Sequence, residues 1–400
     1  MSTASASEPI AHGSAAYYRL GVMLGALTAM GPLAIDMYLP SFPTIAREFG
    51  STTAAVEATA AAYFTGMAVG QSFYGPISDR IGRKLPLYAG LALFIAGSIG
   101  CAFAPSVPAL VVLRFVQALG GCAQLVIARA MVRDLFDERD SMRVLSLLML
   151  VMGVAPILAP LVGGQLLVNF GWQSVFWLLA SYAAVCTAAV ALVMPETLAP
   201  PSRRRDSLAT IAAIYWRLLR DRHFMAHAVS GALTIAGMFA YIAGSATVFI
   251  QLFRVPPDRF GLFFGTNAIG LISASQINGR LAGRMPAQAI LARVFPALAV
   301  AALVLLVNAL TGFGGFAGIL VPLFVCVASV GFIVPNTTVL AMAPHGEVAG
   351  SASALLGTLQ FAVGAGSAMA VSTLNNGTAV PLGAVIACCA VGAFLTSKAA

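Results

Sequence analysis

Charged residues are scarce in this chain. Of its 400 residues, only 9% are charged and 60% are hydrophobic, whereas roughly a quarter of the residues in an ordinary soluble domain are charged. So few charged side chains cannot cover a surface that faces water. We therefore expect lipid to solvate the chain, and we predict an all-α integral membrane protein.

Patterns that would indicate an enzyme or an ATP-driven pump are absent. The sequence contains two lysines, Lys84 and Lys398, and neither belongs to a G-x-x-x-x-G-K-[ST] loop that cradles phosphates. Neither H-E-x-x-H nor G-x-S-x-G occurs, and the six cysteines lack the spacing of metal ligands or of a disulfide framework. We therefore predict no catalytic residues, no metal site and no bound cofactor.

Apolar runs of about 20 residues, the length of a membrane-crossing helix, recur along the chain. Twelve spans are predicted, at residues 19–40, 54–75, 85–104, 109–131, 144–168, 173–194, 226–250, 259–279, 288–310, 317–340, 348–372 and 379–397. A Pro- and Arg-rich interval between the sixth and seventh spans indicates a linker, and its second part has apolar residues at helical spacing. The predicted domains are a disordered cytoplasmic tail at 1–18, a six-helix half at 19–194, a cytoplasmic linker with an interfacial helix at 195–225, and a second six-helix half at 226–400.

The basic residues outside the spans lie almost entirely on one side. Arg47, Arg254 and Arg259 are the exceptions, and all others lie on the side of the N-terminus. Because Lys and Arg favour the cytoplasmic side of a membrane, both termini are predicted to be cytoplasmic. The same placement accounts for the net charge of +8 without a nucleic-acid partner.

Few ionisable residues lie inside the predicted spans, where each is costly to insert. Asp36 lies toward the outer end of span 1 and Arg114 a short way into span 4, at a similar depth, so contact is allowed if the spans are neighbours. A buried carboxyl group that changes protonation as the site opens to either side can couple proton movement to transport. The alternative is a static Asp–Arg pair that fixes helix packing. Arg129 and Glu57 lie near span ends, from which both can reach the interface.

The segment between spans 2 and 3 reads GPISDRIGRK, from Gly75 to Lys84. Its glycines permit a tight turn, and Asp79 is placed where a helix N-terminus favours a carboxylate. Arg83 is then free to pair with an acid on a neighbouring helix, for which Asp134 after span 4 is the candidate. A charged latch of this kind can form and break between conformations.

This segment resembles the signature G-x-x-x-D-R-x-G-R-[RK] of the major facilitator superfamily. Span 4 resembles the second motif of that family, with Arg114, Gln117 and Gly120. Span 5 reads APILAPLVGG and is similar to the antiporter motif of the family, with alanines in place of the two leading glycines. The segments DMYLP and ARAMVRDLF resemble the Bcr/CflA branch of drug:proton antiporters, which includes bicyclomycin and chloramphenicol exporters. The resemblance extends over essentially the whole chain.

The resemblance implies a major facilitator fold and a role for each matching position. Asp36 and Arg114 would couple transport to protons. The cytoplasmic gate would comprise Gly75, Asp79, Arg80, Gly82, Arg83, Lys84 and Asp134. The antiporter motif would comprise Ala155, Ala159, Pro160, Gly163 and Gly164, with a bend that seals the spans.

A substrate pocket is expected between the two halves, near the bilayer midplane. Methionine and aromatic side chains suit promiscuous recognition, and amides supply polar contacts, although ordinary helix packing is the alternative at each position. The candidates are Tyr38, Tyr63, Met67, Gln117, Met149, Met152, Met238, Phe239, Tyr241, Asn267, Asn336 and Gln360.

We therefore predict a proton-coupled antiporter that exports drugs or other small amphipathic compounds across the bacterial inner membrane. The proton gradient would be its energy source. Its partners would be the lipid bilayer and a drug-like solute, and the protein would be a monomer. The alternative is an exporter or importer of a native metabolite such as an amino acid, a peptide or a sugar-like solute. A channel is disfavoured because no filter-like repeat occurs.

Overall fold

The computed structural model describes residues 14–198 and 208–399, and within these ranges the chain forms α-helices and no β-strand. The helices of the first half are α1 (Ala15–Asp36), α2 (Phe42–Glu48), α3 (Thr53–Ile81), α4 (Lys84–Ala102), α5 (Val107–Leu135), α6 (Glu138–Phe170) and α7 (Gln173–Val193). After α8 (Leu208–Arg220), the second half contains α9 (Arg222–Ala246), α10 (Pro257–Ala282), α11 (Ala287–Thr311), α12 (Gly315–Met342), α13 (Ala349–Leu374) and α14 (Val380–Ser397).

Twelve of these helices, all except α2 and α8, have between 18 and 33 residues. Ten stretches of the described chain are long and apolar enough to cross a membrane, and the stretch Gly315–Leu374 contains both α12 and α13. Helix α3 is not among them because Gly, Ser, Thr and Gln residues interrupt its apolar run. The prediction of an all-α membrane protein with two groups of six long helices is confirmed.

The first span differs from its prediction at both ends. Ser14 caps α1 by accepting a hydrogen bond from the Tyr17 N–H at 3.1 Å, so the helix begins before residue 19. It ends at Asp36, and after a turn the chain continues through a 3₁₀ segment, Leu39–Ser41, into α2. Pro40 and Pro43 explain this break, because proline lacks the N–H that an uninterrupted helix needs. Most of the predicted tail, residues 1–13, lies outside the described residues.

Helix α8 falls where the interfacial helix is predicted. Its Leu218 is buried against Phe224 of α9 and against Leu355 and Leu356 of α13. On its exposed face, the Arg220 guanidinium lies 4.5 Å from the centre of the Trp216 ring. The part of the linker at residues 199–207 lies outside the described ranges.

The two halves meet along two helix pairs, α3 with α13 and α6 with α10. One end of the bundle, where α3 is followed by α4, contains Arg80, Arg83 and Arg133, and we call it the basic end. We call the other end, where α2 leads into α3, the opposite end. At the opposite end, hydrogen bonds join the halves, for example from Ser372 Oγ to the Ala54 carbonyl at 2.7 Å. At the basic end a cleft separates them. The bundle is therefore closed at one end and parted at the other.

Candidate substrate and proton site

Asp36 occupies the break in the first span, as the last residue of α1. Its side chain is buried, with 3% of the residue exposed, and its Oδ1 has no hydrogen-bond partner among the described residues. The carboxyl group interacts electrostatically with the hydroxyl groups of Tyr63 on α3 and Tyr241 on α9. Asp36 therefore lies between the two halves of the bundle.

The depth of Asp36 differs from the sequence-based estimate. Tyr63 lies about 15 Å along α3 from its start at the opposite end, at 1.5 Å per residue, and Asp36 lies near it. The first span does not end at residue 40 but continues through a 3₁₀ segment and α2 to Glu48, so more of the chain lies between Asp36 and the opposite end than the predicted span contained. The broken helix places the carboxyl group nearer the middle of the bundle.

Arg114 is held by aromatic rings rather than by a carboxylate. With 1% of the residue exposed, its guanidinium carbon lies 4.3 Å from the ring centre of Tyr63, 4.8 Å from that of Tyr38 and 5.9 Å from that of Phe176. Such faces attract a cation electrostatically. Its Nη1 donates to Gln117 Oε1 at 2.5 Å, and its Nε has no partner in the described chain. No ion pair joins Arg114 to Asp36 within the described residues.

Buried polar atoms without partners gather around this pair. They are Asp36 Oδ1, Arg114 Nε, the Tyr63 hydroxyl and Asn267 Oδ1. The amide nitrogen of Asn267, on α10, donates to the Tyr241 hydroxyl at 3.0 Å, which links the cluster to the second half. Leaving buried polar atoms unpaired costs free energy. Their concentration here therefore provides unused donors and acceptors for a solute, a proton or water.

Several predicted pocket residues lie around this cluster. Tyr38, Tyr63, Tyr241 and Asn267 take part in the contacts above, while Gln117 also donates to Ser98 Oγ at 2.7 Å and so joins α5 to α4. Phe239 stacks on Phe64 at 4.0 Å between ring centres and closes the gap between the halves, and Met67 is buried on the same helix as Phe64.

Other predicted pocket residues lie elsewhere. Met149 is 54% exposed and lies outside the enclosed cluster. Met238 lines a narrow hollow inside the second half. Asn336 donates to Asn278 Oδ1 at 2.6 Å and to the Phe332 carbonyl at 2.7 Å, so it ties α12 to α10. The assignment of these three residues to an inter-half pocket stays a prediction, because none of these observations places their side chains in such a pocket.

Two further candidates have little polar contact. The Sδ atom of Met152 lies 3.9 Å from Nη2 of the half-buried Arg129. Gln360 is half-buried on α13.

The glycines of the antiporter motif pack against backbone near Asp36. A Cβ at Gly163 would lie 2.0 Å from the Met37 carbonyl oxygen, and one at Gly164 would lie 2.4 Å from that of Pro257, at the start of α10. Ala155, Ala159 and Pro160 are buried, and α6 runs unbroken through the motif. The motif thus seats α6 against both the broken first span and the second half. The bend that the resemblance implies at this motif stays a prediction.

At the basic end, Arg83 is the centre of a charged cluster. Its guanidinium donates to Asp79 at 2.5 Å, to Asp134 at 2.8 Å and to Ser78 Oγ at 2.9 Å. Burial lowers the pKa of Arg83, but the hydrogen bonds and charges of Asp134 and Asp79 outweigh that effect and raise the pKa overall. Gly82 has a φ of 103°, which a residue with a Cβ rarely adopts, and so permits the turn. A Cβ at Gly75 would make only ordinary contact.

The start of α4 has a capping residue that the sequence analysis missed. Glu196, after α7, accepts hydrogen bonds from the backbone N–H groups of Arg83 at 2.8 Å and Lys84 at 3.1 Å. The Lys84 ammonium lies 5.8 Å from the ring centre of Tyr88, and Arg80 is exposed. A carboxylate at a helix N-terminus is electrostatically favourable. In the sequence, the only indication of this cap is an acidic residue directly after an apolar run.

A cleft of about 290 Å³ opens beside this cluster. Asp79, Arg83 and Asp134 line one side. The other side is lined by Glu347, in the 3₁₀ segment before α13, and by Ala349, the first residue of α13. The cleft therefore separates a carboxylate of the first half from a helix N-terminus of the second.

Glu57 is a second buried acid, which the sequence analysis placed within reach of the interface. That placement was wrong, since Glu57 is 0% exposed. Its Oε1 accepts from the Thr247 hydroxyl at 2.6 Å and its Oε2 from the Asn375 amide at 2.9 Å. Both partners belong to the second half, so no local pattern in the sequence could have shown them.

Comparisons with known proteins agree with this architecture. Residues 24–369 match the family model described as Major Facilitator Superfamily. The chain is 37% identical over 369 residues to an uncharacterized MFS-type transporter, YdgK, of Bacillus subtilis, covering 92% of this chain and 91% of the relative. It is 30% identical over 386 residues to a bicyclomycin resistance protein homolog of Haemophilus influenzae, covering 94% and 95%. It is 31% identical over 227 residues to the multidrug resistance protein MdtL of Escherichia coli, covering 57% of each chain.

Solved structures share the fold at low sequence identity. A D-xylose-proton symporter superposes with a TM-score of 0.75 at 16% identity, covering 95% of this chain and 96% of the other. An inward-facing bacterial homolog of the lysosomal transporter Spinster superposes with a TM-score of 0.71 at 13% identity, covering 97% and 98%.

Proposed function

We propose that this chain, which belongs to the Major Facilitator Superfamily, is a proton-coupled antiporter. It would export drug-like compounds across the bacterial inner membrane by alternating access. The observation that carries the proposal is Asp36, a buried carboxyl group set between the two halves of the bundle, with no counter-ion among the described residues. The basic end would face the cytoplasm, as the distribution of Lys and Arg favours.

The surroundings of Asp36 suit a group that gains and loses a proton. A buried neutral acid costs much less free energy than a buried carboxylate without a cation. When the site opens to water, the carboxylate regains hydration and the proton can leave. Both Arg114 and Asp36 lie close enough to Tyr63 to act electrostatically on its hydroxyl group. The Arg114 guanidinium, however, packs on the faces of aromatic rings and not on the carboxyl group of Asp36. Proton exchange at Asp36 therefore does not require a permanent ion pair to break.

The cleft at the basic end supports a role for the charged segment as a gate. If the cleft closes, Asp79 approaches the N-terminus of α13, where the helix dipole favours a carboxylate. Arg83, shared between Asp79 and Asp134, would keep the segment folded while that contact forms and breaks. The gate would then alternate with the seal at the opposite end.

Two observations support drugs as the cargo. Relatives that align with this chain carry the names bicyclomycin resistance protein homolog and multidrug resistance protein. The inter-half cluster combines aromatic faces with a few unpaired polar atoms, a combination that binds varied amphipathic solutes. A native metabolite is the alternative cargo, and the experiment below separates the two.

The test is expression in a bacterial host that lacks its major drug pumps. We expect tolerance of, and reduced accumulation of, at least one compound in a panel of antibiotics and dyes, and collapse of the proton gradient should remove the effect. Asp36→Asn should insert normally but lose pH-driven transport in proteoliposomes. The matched control is Glu48→Gln, an acid that accepts hydrogen bonds from Trp172 and Gln173 within the first half.

Two results would contradict the proposal. Full pH-driven transport by Asp36→Asn would remove that residue from proton coupling. If no drug is moved while an amino acid, peptide or sugar exchanges across the same membranes, the cargo is a metabolite.

A further inference from the structure

The opposite end of the bundle contains a polar seal between the two halves, and the transport mechanism above gives no role to the acid within it. On the first half it is formed by Glu57 and Thr53 of α3. On the second half it is formed by Thr247 and Gln251, in the π-helical segment that follows α9, and by Asn375 after α13. Asn375 also donates to Thr247 Oγ1 at 3.1 Å, so the Glu57 carboxyl group, Thr247 and Asn375 form a closed triangle.

Glu57 is buried in this seal, and no cation among the described residues pairs with it. Charged residues on neighbouring elements near this end are Arg47 and Glu48 on α2, Arg254 before α10, and Asp258 and Arg259 in its first turn, while Arg114 on α5 lies somewhat deeper. None of them makes an ion pair with Glu57 within the described chain, and its partners are the neutral groups of Thr247 and Asn375. An ionised carboxylate in this position would be a buried charge compensated only by hydrogen bonds.

The geometry of the triangle can also accommodate the neutral acid. Asn375 Oδ1 accepts from the Gly377 N–H at 2.9 Å, which fixes the amide so that its NH₂ group faces Glu57. Glu57 Oε2 must therefore be an acceptor. Its other oxygen, Oε1, faces the Thr247 hydroxyl, which can rotate to donate or to accept. A proton on Oε1 would be donated to Thr247 Oγ1, and the Thr247 hydrogen would then turn away from Glu57.

We propose that Glu57 is a second proton-binding site of this transporter, which takes up a proton when the opposite end closes around it. When that end opens, the carboxyl group is hydrated and can release the proton to the same side. Closure of this gate is thereby linked to proton binding. The proposal rests on the proton-coupled function proposed above and adds a second titratable group to Asp36.

The sign of the pH dependence follows from linkage. Because the closed form binds the proton more tightly, lowering the pH favours the closed form, by at most about tenfold per pH unit for a single proton. Glu57→Gln places an amide N–H where the acid proton would lie, so it should hold the gate closed and remove the dependence on pH. Glu57→Ala removes both hydrogen bonds and should favour the open form at every pH.

Spin labels on the two halves can report the gate directly. We would label Arg47→Cys and Thr373→Cys, which are exposed at the opposite end on different halves, after replacing the six native cysteines. All variants carry Asp36→Asn, so that titration of Asp36 does not contribute. The ratio of short to long distances is measured in drug-free proteoliposomes between about pH 5.5 and pH 8.5, a range that covers perturbed carboxyl groups. Glu48→Gln is the matched control, because the Glu48 carboxylate accepts its hydrogen bonds from Trp172 and Gln173, which belong to the first half.

We expect the parent and Glu48→Gln to close as the pH falls, and Glu57→Gln to remain closed throughout. If Glu57→Gln retains the pH-dependent shift of the parent, Glu57 is not the proton site. If Glu57→Gln opens as much as Glu57→Ala, the seal needs the carboxylate charge and the proposal is also wrong. Since no drug is present, neither result bears on the cargo, and a failure of drug efflux leaves this measurement intact.

Discussion

At the scale of single residues, the contrast between Asp36 and Arg114 shapes the site. Both are almost fully buried, yet they do not pair. The guanidinium is stabilised by three aromatic rings and by Gln117, contacts that a planar, delocalised cation makes better than an ammonium group. The carboxyl group is left without an equivalent partner. This asymmetry leaves the Asp36 carboxyl group available for the proton exchange proposed above.

A first prediction concerns Arg114. Arg114→Lys should retain partial transport with a shifted pH optimum, because the positive charge remains while the planar contact with Tyr63 is lost. Arg114→Ala should abolish proton coupling without preventing folding. Both are measured as pH-driven uptake in proteoliposomes, with thermal unfolding as the check on folding. A static Asp–Arg pair would instead allow Asp36→Asn combined with Arg114→Gln to recover proton-driven efflux. Such a recovery would contradict our assignment.

A second prediction concerns Gly163, where α6 touches the backbone beside Asp36. Gly163→Ala would place a Cβ 2.0 Å from the Met37 carbonyl oxygen, so the helix or the turn must shift. Overpacking of this kind costs about 1–3 kcal/mol. We expect a lower unfolding temperature in detergent and a loss of most transport. Gly21→Ala on α1 is the control, since nothing lies within 4 Å of its added Cβ. Equal behaviour of the two variants would show that this close contact is unimportant.

At the scale of helices, sequence and structure agree where information is local. The long helices follow from apolar runs, and the turn at Gly82 follows from its place between two spans. The pairing of Arg83 with Asp134 was proposed from charge and proximity to a span end, and the structure contains it. In contrast, Glu57 meets Thr247 and Asn375 across separations of 190 and 318 residues. Such contacts depend on how the two halves dock, which no local pattern contains.

The same limit explains the pocket. Apolar spans in lipid show weak alternation between faces, because lipid and protein interior are both apolar. In the sequence, Met149 and Met238 are therefore not distinguishable from Met67. In the structure, Met149 is exposed, Met238 lines a hollow inside the C-terminal half, and Met67 is buried on α3. Only the docked helices distinguish them.

A third prediction concerns the segment that joins α3 and α4. Asp79→Ala should leave drug binding largely intact, because Arg83 keeps Asp134 as a partner and the segment stays folded. The switch between conformations should slow, because the carboxylate that would meet the N-terminus of α13 is gone. Accessibility labelling of cysteines on either side of the cleft measures the rate. Arg139→Ala, which removes an exposed charge at the same end, is the control. Unchanged switching in Asp79→Ala would mean that the segment serves only to orient the chain.

At the scale of the whole molecule, the proposed alternating access requires the two halves to part at each end in turn. They are joined at the opposite end by the Glu57 seal and near the middle by the stack of Phe64 on Phe239. Toward the basic end, the hydroxyl groups of Ser72 on α3 and Thr358 on α13 lie 3.1 Å apart. Beyond that contact lies the cleft. Access from the basic end to Asp36 therefore requires this contact to separate.

A fourth prediction tests that requirement. The hydroxyl contact between Ser72 and Thr358 places two cysteine sulfurs within reach of a disulfide, whose S–S length is about 2.05 Å. In a cysteine-free background, the double variant Ser72→Cys with Thr358→Cys should transport when reduced, stop when oxidised and recover on reduction. Each single variant, treated with the same oxidant, is the matched control. Because the cross-link joins the halves between Asp36 and the cleft, a protein that still transports when fully cross-linked would not need the halves to part there. That result would contradict alternating access through the basic end, whatever the cargo proves to be.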